Sequence, residues 1–224
     1  MKRKILLLLV AVTIVCSFPI VTFAEDIEEQ KTDICLYDTE DFEMMIQQIQ
    51  KIKTMNIGAS DDVLLQKIND SLMTLSRTET RGIVDIWNSL TETEKKLCIR
   101  YPIEALKVNE AKNIATSKTV EKFGYNGLGD RSDAFRHGMW NAEMTILIGE
   151  KKAELFATAH EEKDVTGVET DGFSKVEHKR MDLHNNKIGR SVGQKHIDWN
   201  ESQMADLMYS EVNNENTEFV WLHE

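Results

Sequence analysis

The chain has 224 residues, with 38 acidic against 27 basic side chains and a formal net charge of −11. This acidic balance argues against strong non-specific binding to nucleic acid or to anionic lipid, because both attract basic surfaces. Hydrophobic residues make up 41% of the chain, which excludes a wholly disordered protein. Few prolines and many helix-forming residues predict an all-α protein, a compact multi-helix bundle behind an N-terminal signal peptide.

The first 24 residues have the pattern of a secretory signal. Three basic residues at positions 2–4 precede an apolar run from Ile5 to Ile14, and Ala24 ends a small-residue cleavage site ahead of Glu25. We therefore expect a secreted, extracellular protein that starts at Glu25, with an uncleaved anchor as the alternative. No second apolar run is long enough to span a bilayer, so we expect no transmembrane segment after cleavage.

Charge and composition divide the remaining chain into four parts. These are a flexible acidic leader (25–38), a group of N-terminal helices (39–100), a motif-bearing helical domain (101–200) and an acidic C-terminal helix with its tail (201–224). The acidic flanks are candidate contacts for a protein partner. Five of the six histidines lie between His137 and His196, in the near-neutral domain, so chemistry is expected there.

Apolar periodicity, caps and breakers predict nine helices. Thr91 and Glu94 form a capping-box pattern, and Pro102 is typical of the first turn of a helix. The predicted ranges are 40–54, 61–75, 79–90, 92–100, 102–123, 131–148, 150–162, 175–195 and 201–213. Two cysteines follow the signal, Cys35 and Cys98, and either one disulfide or two half-buried free thiols fit them equally well.

The helix at 131–148 places three polar residues on one side and apolar residues on two sides. At 100° per residue Asp133, His137 and Asn141 share a face. A helix that is apolar on two sides is central to its domain, so this polar face is expected to be buried, while Arg136 and Glu143 mark a more exposed edge. The alternative is a hydrogen bond between Asp133 and His137 that only stabilises the helix.

Two further helices bring more ligand-type side chains. A turn at Gly149 would make the helices on its two sides antiparallel. His137 and His160 would then lie opposite each other, with Glu161 beside them. On the helix at 175–195, His178 and Asp182 share a face, and Gly189 with Gly193 would let another helix approach closely. Oxygen ligands together with neutral imidazoles suit zinc, with manganese or iron as alternatives.

Three motifs, DAFRHGMWNAEM, AHE and MDLHNNKIGR, resemble those of a family of exported or toxin-associated bacterial proteins without an established activity. The resemblance spans about residues 91–195. It implies that twelve motif residues matter to the family, and these are Asp133, Arg136, His137, Trp140, Asn141, His160, Glu161, Asp182, His184, Asn185, Asn186 and Arg190.

A more distant likeness is to the all-helical zinc phosphodiesterases of the phospholipase C and P1 nuclease group. That group also sets His and Asp at four-residue spacing on helices. It uses an N-terminal Trp and more histidines than this chain has, whereas the expected mature chain begins at Glu25. The ligand count therefore allows one metal or two.

These patterns lead to the hypothesis of an exported metal-dependent hydrolase of phosphodiesters, from lipid or nucleic acid. The expected metal ligands are Asp133, His137, His160 and Asp182. The expected catalytic residues are Glu161, His184 and Asn185, with Glu161 or His184 as general base, and the expected substrate-binding residues are Arg136, Asn141 and Arg190. The alternative is a non-catalytic binding module whose buried Asp, His and Asn network fixes helix packing.

Overall fold

The structure, a computed structural model, describes residues 39–75 and 81–224. The expected signal peptide, the acidic leader and Cys35 lie outside these residues. Within them the protein is all-α, with nine helices and a single isolated bridge between Val168 and Ser174 in place of any strand. None of the helices in these ranges combines the length and the apolar character that a bilayer crossing requires.

The helices follow the predicted ranges within one or two residues. They are α1 (Thr39–Met55), α2 (Asp61–Leu75), α3 (Arg81–Ser89), α4 (Glu92–Arg100), α5 (Pro102–Phe123), α6 (Arg131–Ile148), α7 (Glu150–His160), α8 (Lys175–Lys195) and α9 (Glu201–Val212). The all-α prediction is confirmed. The capping box of Thr91 and Glu94 is complete at the start of α4, and Pro102 opens α5.

The N-terminal helices form a layer that packs on α5 and α7. Helix α1 contacts α2 to α5, and all of its predicted apolar positions, Phe42, Met45, Ile46, Ile49 and Ile52, are buried. Helix α4 reaches α7 as well as α5. This contact between α4 and α7 places Glu94 of α4 next to the side chain of His160.

Helix α6 is the centre of the molecule. It packs against α5, α7, α8 and α9, and every residue from Ser132 to Thr145 is buried. The expected central position of this helix is confirmed. The expectation that Arg136 and Glu143 mark an exposed edge is wrong, because the surrounding helices leave them only 0% and 3% exposed.

Helices α6 and α8 approach each other at glycines. A Cβ atom added to Gly189 would lie 2.2 Å from the carbonyl oxygen of Gly138, and one added to Gly193 would lie 2.6 Å from that of Ala142. No side chain fits between backbones at such distances. The predicted role of Gly189 and Gly193 is therefore confirmed, and this contact sets the distance between the polar faces of the two helices.

Cys98 belongs to the core. Its side chain is 3% exposed, burial raises the pKa of its thiol, and among the described residues it has no disulfide partner. A buried thiol of raised pKa is unreactive at neutral pH. Whether Cys98 pairs with Cys35 stays a prediction, since Cys35 is outside the described residues.

Replacing Gly189 with Ala should lower the free energy of unfolding by about 2 kcal/mol, because the added methyl group meets backbone that cannot rotate away. Urea denaturation measures this change. Ser191→Ala, an exposed position on the same helix, is the control and should stay within about 0.5 kcal/mol of wild type. Equal midpoints for the two variants would contradict the close contact of α6 and α8.

Candidate metal centre

Two carboxylates and one imidazole meet where α6 packs on α8. Asp133 and His137 lie one turn apart on α6, and Asp182 faces them from α8. His137 Nε2 is 3.4 Å from Asp133 Oδ1 and 3.3 Å from Asp182 Oδ1, and all three side chains are at most 2% exposed. One ligand atom from each lies within 4.8 Å of the others, so this group can hold a metal ion.

The spacing of these atoms fits a small tetrahedral ion. Zinc bonds nitrogen and oxygen at about 2.0–2.2 Å, so neighbouring ligand atoms of a tetrahedral site are about 3.3–3.5 Å apart. His137 Nε2 is at that distance from both carboxylates, yet it is buried without a hydrogen-bond partner among the described residues. A nitrogen close to two carboxylate oxygens but bonded to neither has the position of a metal ligand.

The hydrogen bonds behind His137 fix which ring nitrogen carries the proton. The amide of Asn186 donates to Glu161 Oε1 (3.1 Å), because an ionised carboxylate only accepts. Its oxygen therefore faces His137 Nδ1 at 3.2 Å and receives a second bond from Asn141 (2.6 Å). The proton is then on Nδ1, and the lone pair of Nε2 is directed at the two carboxylates.

The imidazole of His137 is neutral in this group. Burial lowers the pKa of His137 more than the carboxylates of Asp133 and Glu161 raise it, so the ring is neutral at neutral pH. Arg136 is bonded to the group through Asp133. A neutral imidazole has a lone pair that can bind a metal ion.

Asp133 is held in place from two directions. Its Oδ2 accepts from the backbone N–H of Gly129 (2.7 Å), and its Oδ1 accepts from Arg136. Arg136 also donates to the carbonyl of Gly127 (2.9 Å). Gly129 has a φ of 74°, and a Cβ atom there would meet His178 at 2.8 Å, so this turn requires glycine.

The residues predicted to bind substrate are bonded instead to other side chains of the protein. Arg136 is fully buried against Asp133. Asn141 bonds Asn186, and its Oδ1 accepts from Arg190 (2.9 Å), whose guanidinium also lies 3.6 Å from Glu154. These three side chains orient the residues around His137, and none of them is among the residues that line the pocket described next.

Glu161 lies at the wall of a pocket. It directly follows α7, which ends two residues before the predicted end at 162, and its side chain is 7% exposed. Its Oε1 is 3.9 Å from His137 Nδ1. Together with Asp182 and His178 it lines a pocket of about 190 Å³ between the 163–174 loop and α8. Glu161 and Asp182 are therefore the site residues that a small ligand can reach.

The structure does not bring His160 into the group of Asp133, His137 and Asp182, here called the metal group. Its Nδ1 is 2.9 Å from Glu94 Oε1, its Nε2 is 3.2 Å from the amine of Lys163, and its ring packs edge-on against Trp140. The expected convergence of His160 with His137 fails because α4 packs on α7 and supplies Glu94. The same carboxylate also caps α4 through Thr91.

Two of the predicted catalytic residues bind the C-terminal segment. His184 is exposed, with Nε2 2.8 Å from the carbonyl oxygen of Glu218. Asn185 is buried and bonds Val220 twice, donating to its carbonyl (2.8 Å) and accepting from its N–H (3.1 Å). Their side chains hold the tail against α8, so neither takes part in the group around His137.

Sequence reasoning missed several contributors. The sequence pattern indicates only a capping role for Glu94, although its carboxylate also bonds His160. Asp171 bonds His178 (3.0 Å) and lies 3.3 Å from His223, which places the loop and the tail beside the pocket. No local pattern reveals such contacts, because the residues are far apart in the chain and meet only through packing.

An all-α protein with a buried Asp–His–Asp group is thus the class that fold and site define. A family described as a domain of unknown function, DUF6973, matches residues 95–216, just over half of the chain. The protein belongs to this family. The match covers α5 to α9 and every residue of the metal group. No curated protein and no solved structure matches the chain.

Zinc should bind the wild-type protein in a ratio of one ion per chain. His137→Ala should weaken binding by more than about 100-fold, since even the loss of a supporting residue costs 10 to 100-fold. His160→Ala is the matched control and should keep the ion, because its ring is bonded to Glu94. Elemental analysis and zinc-dependent melting measure both. Equal losses in both variants would contradict the assignment.

Proposed function

We propose that the protein is a metal-dependent hydrolase of phosphodiesters and that zinc is its ion, held by Asp133, His137 and Asp182. The observation that supports this most is the lone pair of His137, directed at two buried carboxylates beside a pocket. A bound zinc ion acts as a Lewis acid on water and on a phosphoryl oxygen. The pattern of an export signal at residues 1–24 supports an extracellular site of action.

Glu161 is the proposed general base. It lines the pocket together with Asp182, so a water molecule in the pocket can meet both the base and the ion site. Its Oε1 accepts from Asn186, which fixes the orientation of the carboxylate. His184, the other sequence candidate, is bonded to the tail and is not proposed as the base.

The lining of the pocket supplies cationic groups that an anionic substrate can meet. Three lysines, Lys163, Lys175 and Lys179, face it, together with the carboxylates of Glu161, Asp164, Glu169 and Asp182, and a zinc ion held by Asp133, His137 and Asp182 would add positive charge there. Lys175 is 3.8 Å from Glu169, whereas no ion pair involves Lys179 among the described residues. A volume of about 190 Å³ suits a phosphorylated headgroup or a single nucleotide end better than a duplex. A diester whose phosphate enters this pocket would place its phosphorus near Asp182.

The three ligand-type residues Asp133, His137 and Asp182 allow one ion here, and three ligands are enough for a catalytic zinc site with an open position. A competing candidate is the non-catalytic binding module. The bonded chain from Arg190 through Asn141 to Asn186 favours it, because such a network can fix helix packing without any ion. Zinc content and diester hydrolysis separate the two functions.

Glu161→Gln keeps the shape and the bond from Asn186 but removes the proton acceptor. Hydrolysis of bis(p-nitrophenyl) phosphate by the zinc-loaded protein should fall by about 100-fold or more, with zinc content and melting unchanged. Glu162→Gln, the exposed neighbour, is the control and should keep full activity. No hydrolysis of diesters by the wild type, with zinc bound, would leave the binding module as the function.

Lys179→Gln should raise the KM for an anionic diester by about 5 to 10-fold and change kcat less than twofold, since it removes attraction for a phosphate without touching the ion site. Steady-state kinetics at low and high salt measure this, and salt should weaken the effect. Lys187→Gln, on the same helix but outside the pocket, is the matched control. Equal KM values for the two variants would refute the proposed role of the pocket.

A further inference from the structure

The C-terminal segment, residues 219–224, reaches the turn that supports Asp133. The backbone N–H of Leu222 donates to the carbonyl oxygen of Gly129 (2.7 Å), and the backbone N–H of His223 faces the same oxygen at 3.4 Å. Gly129 is also the residue whose own N–H donates to Asp133. The C-terminal segment therefore contacts the part of the backbone that holds a ligand of the metal group.

His223 and Asp133 hold the two ends of one peptide group. The Nε2 atom of His223 donates to the carbonyl oxygen of Leu128 (2.9 Å), and the N–H of Gly129 donates to Asp133 Oδ2 (2.7 Å). That carbonyl and that N–H belong to the same peptide unit, which is planar and trans, so they point in opposite directions. The bond from His223 therefore fixes the direction in which the N–H of Gly129 points.

Gly129 is the position at which this peptide can rotate. Its φ of 74° lies in the left-handed region, and a residue without a Cβ atom adopts positive and negative φ about equally well. A reversed peptide would turn the N–H away from Asp133 and direct the carbonyl oxygen of Leu128 at the carboxylate. Two groups that only accept hydrogen bonds would then face each other, and Asp133 would lose a donor.

The ring of His223 is held as a donor toward this peptide. Its Nε2 faces two acceptors, the carbonyl oxygen of Leu128 and, at 3.3 Å, Asp171 Oδ2. Its Nδ1 is 3.2 Å from the carbonyl oxygen of Glu224. The carbonyls of Glu224 and Leu128 and the carboxylate of Asp171 raise the pKa of His223, because they stabilise the protonated ring.

Asp171 connects His223 to the loop beside the pocket. The same Oδ2 atom of Asp171 is 3.0 Å from Nε2 of His178, which lines the pocket. The ring of His223 also stacks on that of Phe173, with the centroids 5.6 Å apart. One histidine of the C-terminal segment therefore contacts both the peptide that supports Asp133 and the loop that lines the pocket.

We propose that His223 is a positioning residue of the zinc site, which holds the peptide between Leu128 and Gly129 with its N–H toward Asp133. This inference rests on the proposed function, because it requires Asp133 to bind zinc. Without the bond from His223 the peptide has a second orientation, in which Arg136 is the remaining donor to Asp133 among the described residues. A carboxylate that is held less firmly binds its metal more weakly.

The size of the effect follows from the distance over which His223 acts. Groups bonded directly to metal ligands contribute about 10 to 100-fold to metal affinity. His223 acts through one peptide group, so we expect a contribution at the lower end, about 10-fold.

The test is the zinc affinity of the full chain, measured by competition with a chromogenic chelator. His223→Ala should weaken zinc binding about 10-fold, because the bond to Leu128 is lost. His223→Gln should bind zinc within about twofold of wild type, since a glutamine amide can donate from the position of Nε2. Glu218→Gln, an exposed side chain just before the C-terminal segment, is the matched control and should leave zinc affinity unchanged.

Amide hydrogen exchange of the metal-free protein gives a readout that depends on neither zinc nor hydrolysis. His223→Ala should speed exchange of the Gly129 N–H about 10-fold, because this N–H then leaves its bond to Asp133 more often. The amide of Met139, in the buried centre of α6, should exchange as in wild type. A general loss of stability would speed exchange at both positions.

The possible results separate the role of His223 from the proposed function. Zinc binding of equal affinity in wild type and His223→Ala would overturn the positioning role and leave the hydrolase standing. A loss that His223→Gln does not restore, with faster exchange at Met139 as well, would also overturn it, because His223 would then only stabilise the fold. A wild-type protein that binds no zinc would overturn the proposed function and, with it, the role of His223 in metal binding.

Discussion

The backbone contact between α6 and α8 is the constraint on which the rest of the site depends. Gly189 and Gly193 let α8 approach until the carbonyls of Gly138 and Ala142 fill the space that side chains would occupy. With the two backbones this close, Asp182 Oδ1 of α8 lies 3.3 Å from His137 Nε2 of α6. Close packing therefore produces the cluster of ligand-type atoms.

The surrounding hydrogen bonds are arranged as supports for this cluster. Asn186 connects Glu161 to His137 and so fixes both the proton position of the ring and the orientation of the carboxylate. Gly129 and Arg136 do the same for Asp133. Supports of this kind are what a metal site needs, because ligand orientation controls affinity as much as ligand identity does.

Parts of the chain far from the motifs complete the molecule. The N-terminal layer supplies Glu94 for His160, and the C-terminal segment is held by Asn185 and His184. The ring nitrogens of His160 contact Glu94 and Lys163, outside the metal group. Its role is therefore structural, which its position in the AHE motif does not reveal. Helix α9 packs against the central helix α6 as well.

The sequence by itself determined the helices, the central place of α6 and the shared face of Asp133 and His137, because periodicity, caps and breakers act over a few residues. It also predicted the close approach at Gly189. Only the tertiary structure decided which face each neighbouring helix covers. The packing of these helices buries Arg136 and Glu143 and places His160 against Glu94. Such contacts join residues far apart in the chain and depend on packing angles that no local pattern encodes.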